Sequence, residues 1–155
     1  MSKSFLKILN LEIYIKMQTK TFSGTLDSLS PIRQYLKSIA GNAGVSKKAS
    51  YNLQLAADEL VTNTILYGYE EAGLQGDITI FSEIIEDQLV VTIQDSAVPF
   101  DPLSKEMPSK EDLSKPLNER PIGGLGIFLV LNGLDEFRYE FKDGFNFNTL
   151  VLYLT

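Results

Sequence analysis

The sequence predicts an α+β fold: a two-layer sandwich of a mixed, mostly antiparallel sheet covered on one face by about three helices. Apolar residues recur at helical intervals over Ile32–Ala40 and Leu53–Tyr69, and again after the glycines at 123, 124 and 126. Other stretches alternate apolar and polar residues with the period of a half-buried strand, and short turns join them in pairs. The chain has 155 residues with 44% hydrophobic content, enough for one well-buried core and too few for two ordinary ones.

In chain order, Leu9, Leu11, Ile13, Ile15 and Met17 alternate with Asn10, Glu12, Tyr14, Lys16 and Gln18, which reads as a strand or a bent pair of strands. Gly24, Thr25, Asp27 and Ser28 supply turn and capping groups before the apolar helical face of Ile32, Tyr35, Leu36, Ile39 and Ala40. Pro31 suits that helix's first turn, Gly41 to Val45 closes it, and Ser46 can cap the next helix.

In that second helix Leu53, Ala56, Ala57, Leu60, Val61 and Thr64 fill one stripe. Glu59 and Asn63 fall together on its shoulder, where a helix layer parts from a sheet and a cleft can open for a small ligand. The plainer alternative is a hydrogen bond between the two on a solvated face. Strands over Asp77–Ile85 and Gln88–Gln94 follow, joined as a hairpin at Glu86 and Asp87. Leu89, Val91 and Ile93 share one face, and the alternation carries Asp95 onto it at the strand's end. A charge there needs a partner, such as a ligand's hydrogen-bond donor, unless Asp95 simply caps the turn into Pro99.

Residues 99–121 hold five prolines among polar residues and form a long loop of the kind that serves as a lid. Lys105, Lys110, Lys115 and Arg120 within it are either phosphate contacts or ordinary solvated charges. The loop ends at Gly123, Gly124 and Gly126, which open the helical run Ile127–Asn132. Glycines let backbone N–H groups approach phosphate, and a helix start adds unpaired donors, although a hinge beside a core helix would look the same. Glu136–Phe141, a turn at Lys142–Gly144 and Phe147–Leu154 read as two final antiparallel strands.

Composition narrows the chemistry. A net charge of −6 argues against a nucleic-acid surface. With no cysteine and no histidine, thiolate and imidazole chemistry are excluded, leaving carboxylates, amides, hydroxyls and cations. No apolar run approaches the ~18 residues of a membrane span and no signal peptide is evident, so a cytoplasmic protein is the expectation.

The ordered set of Glu59 with Asn63 on a helix, Asp95 before Pro99-Phe100-Asp101, and Gly124-Leu125-Gly126 opening a helix after a lid resembles the GHKL ATPases. These share the Bergerat-type ATP-binding fold of histidine kinases, gyrase and heat-shock chaperones. The strings DELVTNTILYGY, DSAVPFDP and GGLGIFLV look most like the anti-sigma-factor serine kinases of bacterial partner-switching systems. The similarity covers residues 17–155, with the lid at 99–122, and leaves residues 1–16 as an N-terminal strand extension that could pair across a homodimer.

The resemblance implies ATP and Mg²⁺ as cofactors. Asn63 would coordinate the ion, Glu59 would be the general base, and Asp95 would accept a hydrogen bond from the adenine amino group. Thr149 would assist Asp95 through water, and Gly124 and Gly126 would touch phosphate. Where the family's first glycine box reads Asp-x-Gly, this chain has Asp95-Ser96-Ala97, which puts a methyl near the expected adenine site where a positive-φ glycine would tolerate it poorly. Tyr67 stands where many relatives carry histidine.

The function implied is an anti-sigma-factor serine/threonine kinase that binds a sigma factor and phosphorylates a STAS-domain antagonist. The alternative is a non-catalytic nucleotide-binding module that sequesters a regulatory partner, which Ala97 and the lack of basic residues around Glu59 and Asn63 would suit. A chaperone-like clamp lacks a second domain, and autophosphorylation on histidine has no acceptor in this chain.

Overall fold

The computed structural model describes residues 17–104 and 132–154. Strand β1 (Met17–Ser23) precedes helices α1 (Leu29–Ala43) and α2 (Lys47–Asn63), then come strands β2 (Asp77–Ile85), β3 (Gln88–Asp95), β4 (Glu136–Lys142) and β5 (Phe145–Tyr153). The strands form one sheet in the order β1-β2-β3-β5-β4, and every described pairing is antiparallel. The α+β, two-layer expectation holds, with a wholly antiparallel sheet among the described residues rather than a mixed one.

Local chemistry places the helices. Gly44 ends α1 in the left-handed conformation at φ 77°, and Ser46 starts α2 by accepting a 3.1 Å hydrogen bond from the Ala49 amide. Pro31 lies in the first turn of α1, where its missing N–H costs nothing. Arg33 Nε on α1 meets Asp58 Oδ1 on α2 at 2.9 Å, an exposed pair that adds little. The β2–β3 hairpin turns at Glu86 (φ 54°), and the β4–β5 hairpin at Asp143 and Gly144 (φ 53° and 85°).

Register decides which side chains meet the helices. Leu89, Val91, Ile93 and Asp95 of β3 stand beside Ile84, Ser82, Ile80 and Ile78 of β2 and beside Leu152, Leu150, Asn148 and Asn146 of β5. This face packs on Leu53, Ala56, Ala57, Leu60 and Val61 of α2 and on Ile32, Leu36, Ile39 and Ala40 of α1. Each leucine or isoleucine buried there contributes about 1.5–3 kcal/mol. At one end of the face the residues turn polar: Asp95, Asn146 and Asn148 are buried among the apolar core.

The helical stripe predicted to run unbroken to Tyr69 changes winding after Asn63. Thr64–Glu70 forms a π-type turn, which accommodates an extra residue per turn. It delivers Tyr69 to the core, where its hydroxyl donates to the Asp77 carbonyl at 2.7 Å and accepts from the Ser96 amide at 2.9 Å. Glycine is required around that ring, since a Cβ on Gly24 would lie 2.4 Å from the Gly76 carbonyl and 2.6 Å from the Tyr69 ring.

The expected strand over Leu9–Met17 falls outside the described residues except for Met17, where the observed β1 begins and continues to Ser23. The expected N-terminal extension 1–16, the part of the expected lid beyond residue 104 with its four cations, and the expected helical run from Ile127 to Leu131 also lie outside the described residues. Among the described residues no helix is long and apolar enough to cross a membrane.

Tyr69→Phe leaves the Ser96 amide and the Asp77 carbonyl without their buried partner. Urea unfolding should show a loss of about 1–3 kcal/mol. Tyr67→Phe, at an exposed position on the same turn, should leave the midpoint unchanged.

Candidate functional site

A cavity of about 250 Å³ opens where the end of α2 parts from the polar end of the sheet, toward the lower limit of small-molecule sites. Leu60, Asn63, Thr64, Tyr67 and Gly68 form its helical wall. Asp95, Asn146 and Asn148 form its floor, and the segment from Ala97 to Pro102 closes the rim. A cleft is thus present beside Asn63 with Asp95 lining it, while Glu59 is not among its lining residues.

Asp95 is 2% exposed, and its carboxylate is held by three donors. Oδ1 accepts from Asn146 Nδ2 at 2.8 Å and from the Ala97 amide at 3.0 Å, while Oδ2 receives only a long 3.4 Å contact from Thr64 Oγ1. Burial pushes its pKa above the ordinary carboxylate range, and the hydrogen bonds from Asn146, Ala97 and Thr64 oppose that shift without cancelling it. The turn-capping reading of Asp95 is the one its contacts show. It caps the following turn through Ala97, it lines the cavity, and Oδ2 has only the long contact from Thr64.

Glu59 and Asn63 make the contact of the plainer reading. Asn63 Nδ2 points to Glu59 Oε1 at 3.4 Å, and Asn63 lines the cavity while Glu59 stands one helical turn back from its wall. With the amide nitrogen turned to Glu59, the Asn63 oxygen is the end left for a cation. Among the described residues no cluster of three acidic, histidine or cysteine side chains could hold a metal alone. Mg²⁺ fits only if the ligand brings most of the oxygens, as a polyphosphate does.

Ala97 is accommodated without strain. Among the described non-glycine residues only Glu86 and Asp143 have positive φ, so the feared left-handed backbone at Ala97 is absent. Its methyl occupies room left by Gly68: a Cβ built on Gly68 would lie 2.7 Å from the Ala97 Cβ. The Val98 amide also donates to the Gly68 carbonyl at 3.3 Å, tying the π-turn to the rim.

The expectation for Thr149 is corrected by the register. Thr149 pairs with Thr92, and their hydroxyls lie 3.4 Å apart on the sheet face away from the helices. Because side chains alternate, the residues sharing a face with Asp95 are Asn146 and Asn148, and Thr149 cannot reach the cavity floor. Sequence reasoning missed both asparagines and Thr64. Their signal was the alternation Asn146-Phe147-Asn148, which repeats on β5 the polar break that Asp95 makes at the end of β3. Gly124 and Gly126 lie outside the described residues.

The family described as histidine kinase-like ATPase domain matches residues 22–153. A serine-protein kinase RsbW of Listeria monocytogenes is 31% identical over 113 residues, covering 72% of this chain and 71% of that protein. The RsbW of Staphylococcus aureus is 29% identical over 126 residues, covering 81% of this chain and 77% of that protein. Among solved structures, the RsbU and RsbW domains of a Mycobacterium tuberculosis protein match with a TM-score of 0.62 at 16% identity over 89% of this chain, which spans 32% of that one. A chain of the SiaB–SiaC complex from Pseudomonas aeruginosa matches with a TM-score of 0.58 at 18% identity over 97% of this chain and 100% of its own length. At such identities the structural likenesses speak for the fold alone.

Two outcomes follow from the geometry. Gly68→Ala should lower the melting temperature because two methyls would collide, and adding Ala97→Gly should restore much of the loss, a coupling readable in a double-mutant cycle. For Asp95, the raised folded pKa means the folded state holds its proton more tightly than the unfolded chain, so its contribution favours folding in acid and is lost as pH rises through the folded value. Asp95→Asn should therefore melt at least as high as the parent at pH 7, with its relative advantage shrinking as pH falls through the raised folded value toward the ordinary carboxylate range. A melting series over pH checks the sign.

Proposed function

Because the chain belongs to the histidine kinase-like ATPase family, we propose that it is an ATP-binding serine/threonine protein kinase acting as a cytoplasmic anti-sigma factor in a partner-switching circuit. Its substrate would be a small STAS-type antagonist protein. The observation that carries this is the buried Asp95 on the floor of a cavity whose wall carries Asn63, with Glu59 one turn behind. Thr64, the residue after Asn63, lies 3.4 Å from Asp95, so the residues this reading assigns to base and phosphate are near neighbours.

In this reading Asp95 Oδ2 accepts a hydrogen from the adenine amino group while Asn146 and the Ala97 amide hold the carboxylate still. Asn63 would face the triphosphate, and its amide oxygen would help to hold Mg²⁺. Bound there, the ion would neutralise phosphate charge. Gly124 and Gly126 would add backbone donors to the phosphates. Glu59 takes the proton of the attacking serine hydroxyl as its oxygen bonds to the γ-phosphorus and the bond to the ADP leaving group breaks. The curated RsbW relatives, named serine-protein kinases, support this chemistry.

One observation favours a second reading. None of the described residues lining the cavity is cationic, so a nucleotide could be held without turnover in a module that sequesters its partner. Transfer from γ-labelled ATP to a cognate STAS antagonist separates the two. Glu59→Gln should cut transfer about 10²- to 10⁴-fold while retaining nucleotide binding. Asn63→Ala should weaken Mg²⁺-dependent nucleotide binding. Undiminished transfer by Glu59→Gln would remove Glu59 as the base, and no transfer by the parent protein would favour the sequestering module.

A further inference from the structure

The two faces of the sheet are unequally covered. Both described helices pack on one of them. The other face carries Met17, Phe81, Ile85, Val90, Phe147 and Val151, and a groove of about 340 Å³ runs across it from Met17 to Phe147. Met17, Phe81 and Ile85 are 57%, 38% and 46% exposed, whereas Val90 and Val151, paired with each other, are 7% and 0% exposed. Among the described residues neither valine is part of the core that joins sheet to helices. Their burial calls for a cover on the outer face that the two helices do not give.

The register shows how little of the chain before β1 the sheet can take up. Met17 pairs with Glu83, so only Ile84 and Ile85 remain on β2 before the turn at Glu86 and Asp87. At most two more residues can pair there, and anything further upstream runs past the sheet's end. Leu9, Leu11, Ile13 and Ile15 alternate with Asn10, Glu12, Tyr14 and Lys16 in phase with Met17. A strand continued backward from Met17 would turn all four aliphatic side chains to the outer side, beyond the sheet and into water.

We propose that residues 9–15 fold back over the outer face of the sheet of their own chain, so that this aliphatic stripe fills the groove and covers Val90 and Val151. The reach suffices: β1 to β5 is three strand spacings, about 14 Å, and seven extended residues span about 23 Å. The segment joins the sheet at Met17, itself a wall of the groove, so the loop to be closed is short. The sheet then becomes the middle of three layers. The extension read from the sequence acts within one chain in place of pairing across a homodimer, and none of this depends on nucleotide.

The chain has no cysteine, so introduced thiols report the contact. In the full chain, Ile13→Cys with Thr92→Cys, in the groove, should be joined within one molecule by a short bis-maleimide. Ile13→Cys with Tyr51→Cys, exposed on α2 in the other layer, should not. The thiol of Val90→Cys should react with a maleimide about 10-fold faster or more once Leu11→Asp and Ile13→Asp are added. Links between two molecules would assign the face to a second copy and overturn the proposal. Equal linking of both cysteine pairs, no link in either, or Val90→Cys labelling that ignores the aspartates would overturn it as well. Should the aspartate variant fail to fold, the linking comparison, which keeps Leu9, Leu11 and Ile15, decides alone.

Discussion

The structure turns on one buried charge. Asp95 sits at the end of a central strand with apolar neighbours along its face, and a carboxylate there is tolerated only because three donors converge on it. Those donors come from three separate places: Asn146 on β5, the Ala97 amide in the rim, and Thr64 at the start of the π-turn. The same contacts tie β5, the rim and the π-turn to the end of β3. Two of the donors share one oxygen, and the other receives only the long contact from Thr64.

The π-turn is the second constraint. By changing winding after Asn63, the chain leaves Asn63 and Thr64 at the cavity wall and still brings Tyr69 into the core to anchor the segment after Asp95. Gly68 within the turn lies against Ala97, so the departure from the family's Asp-x-Gly pattern is answered by a residue far away in sequence. Wall and rim are built as a matched pair, and the methyl at 97 becomes part of the packing instead of an obstruction.

Features set by local chemistry were legible in the sequence. The Ser46 cap, the Gly44 stop, both hairpin turns and the inward face of β3 each depend on neighbouring residues alone. The α+β class and the pairing of Glu59 with Asn63 followed from the same periodicities. What failed depended on register or on distant contacts. Thr149, which the resemblance set beside Asp95, lies on the other face of β5, because in a strand one residue exchanges the two faces. The π-turn was read as ordinary helix because its apolar residues still roughly fit a helical stripe, and Gly68's accommodation of Ala97 spans a gap no local pattern records.

The central claim is that this cleft recognises an adenine nucleotide through an acceptor on its floor. Thermal unfolding of the parent protein with Mg-ATP and with Mg-GTP at equal concentration tests it most directly. A ligand at about a hundred times its dissociation constant adds roughly 2.7 kcal/mol, enough for a shift of several degrees. The account predicts that shift with ATP and little or none with GTP, because Asp95 faces the base edge with an acceptor. Equal shifts with both nucleotides, or none with either, would contradict it.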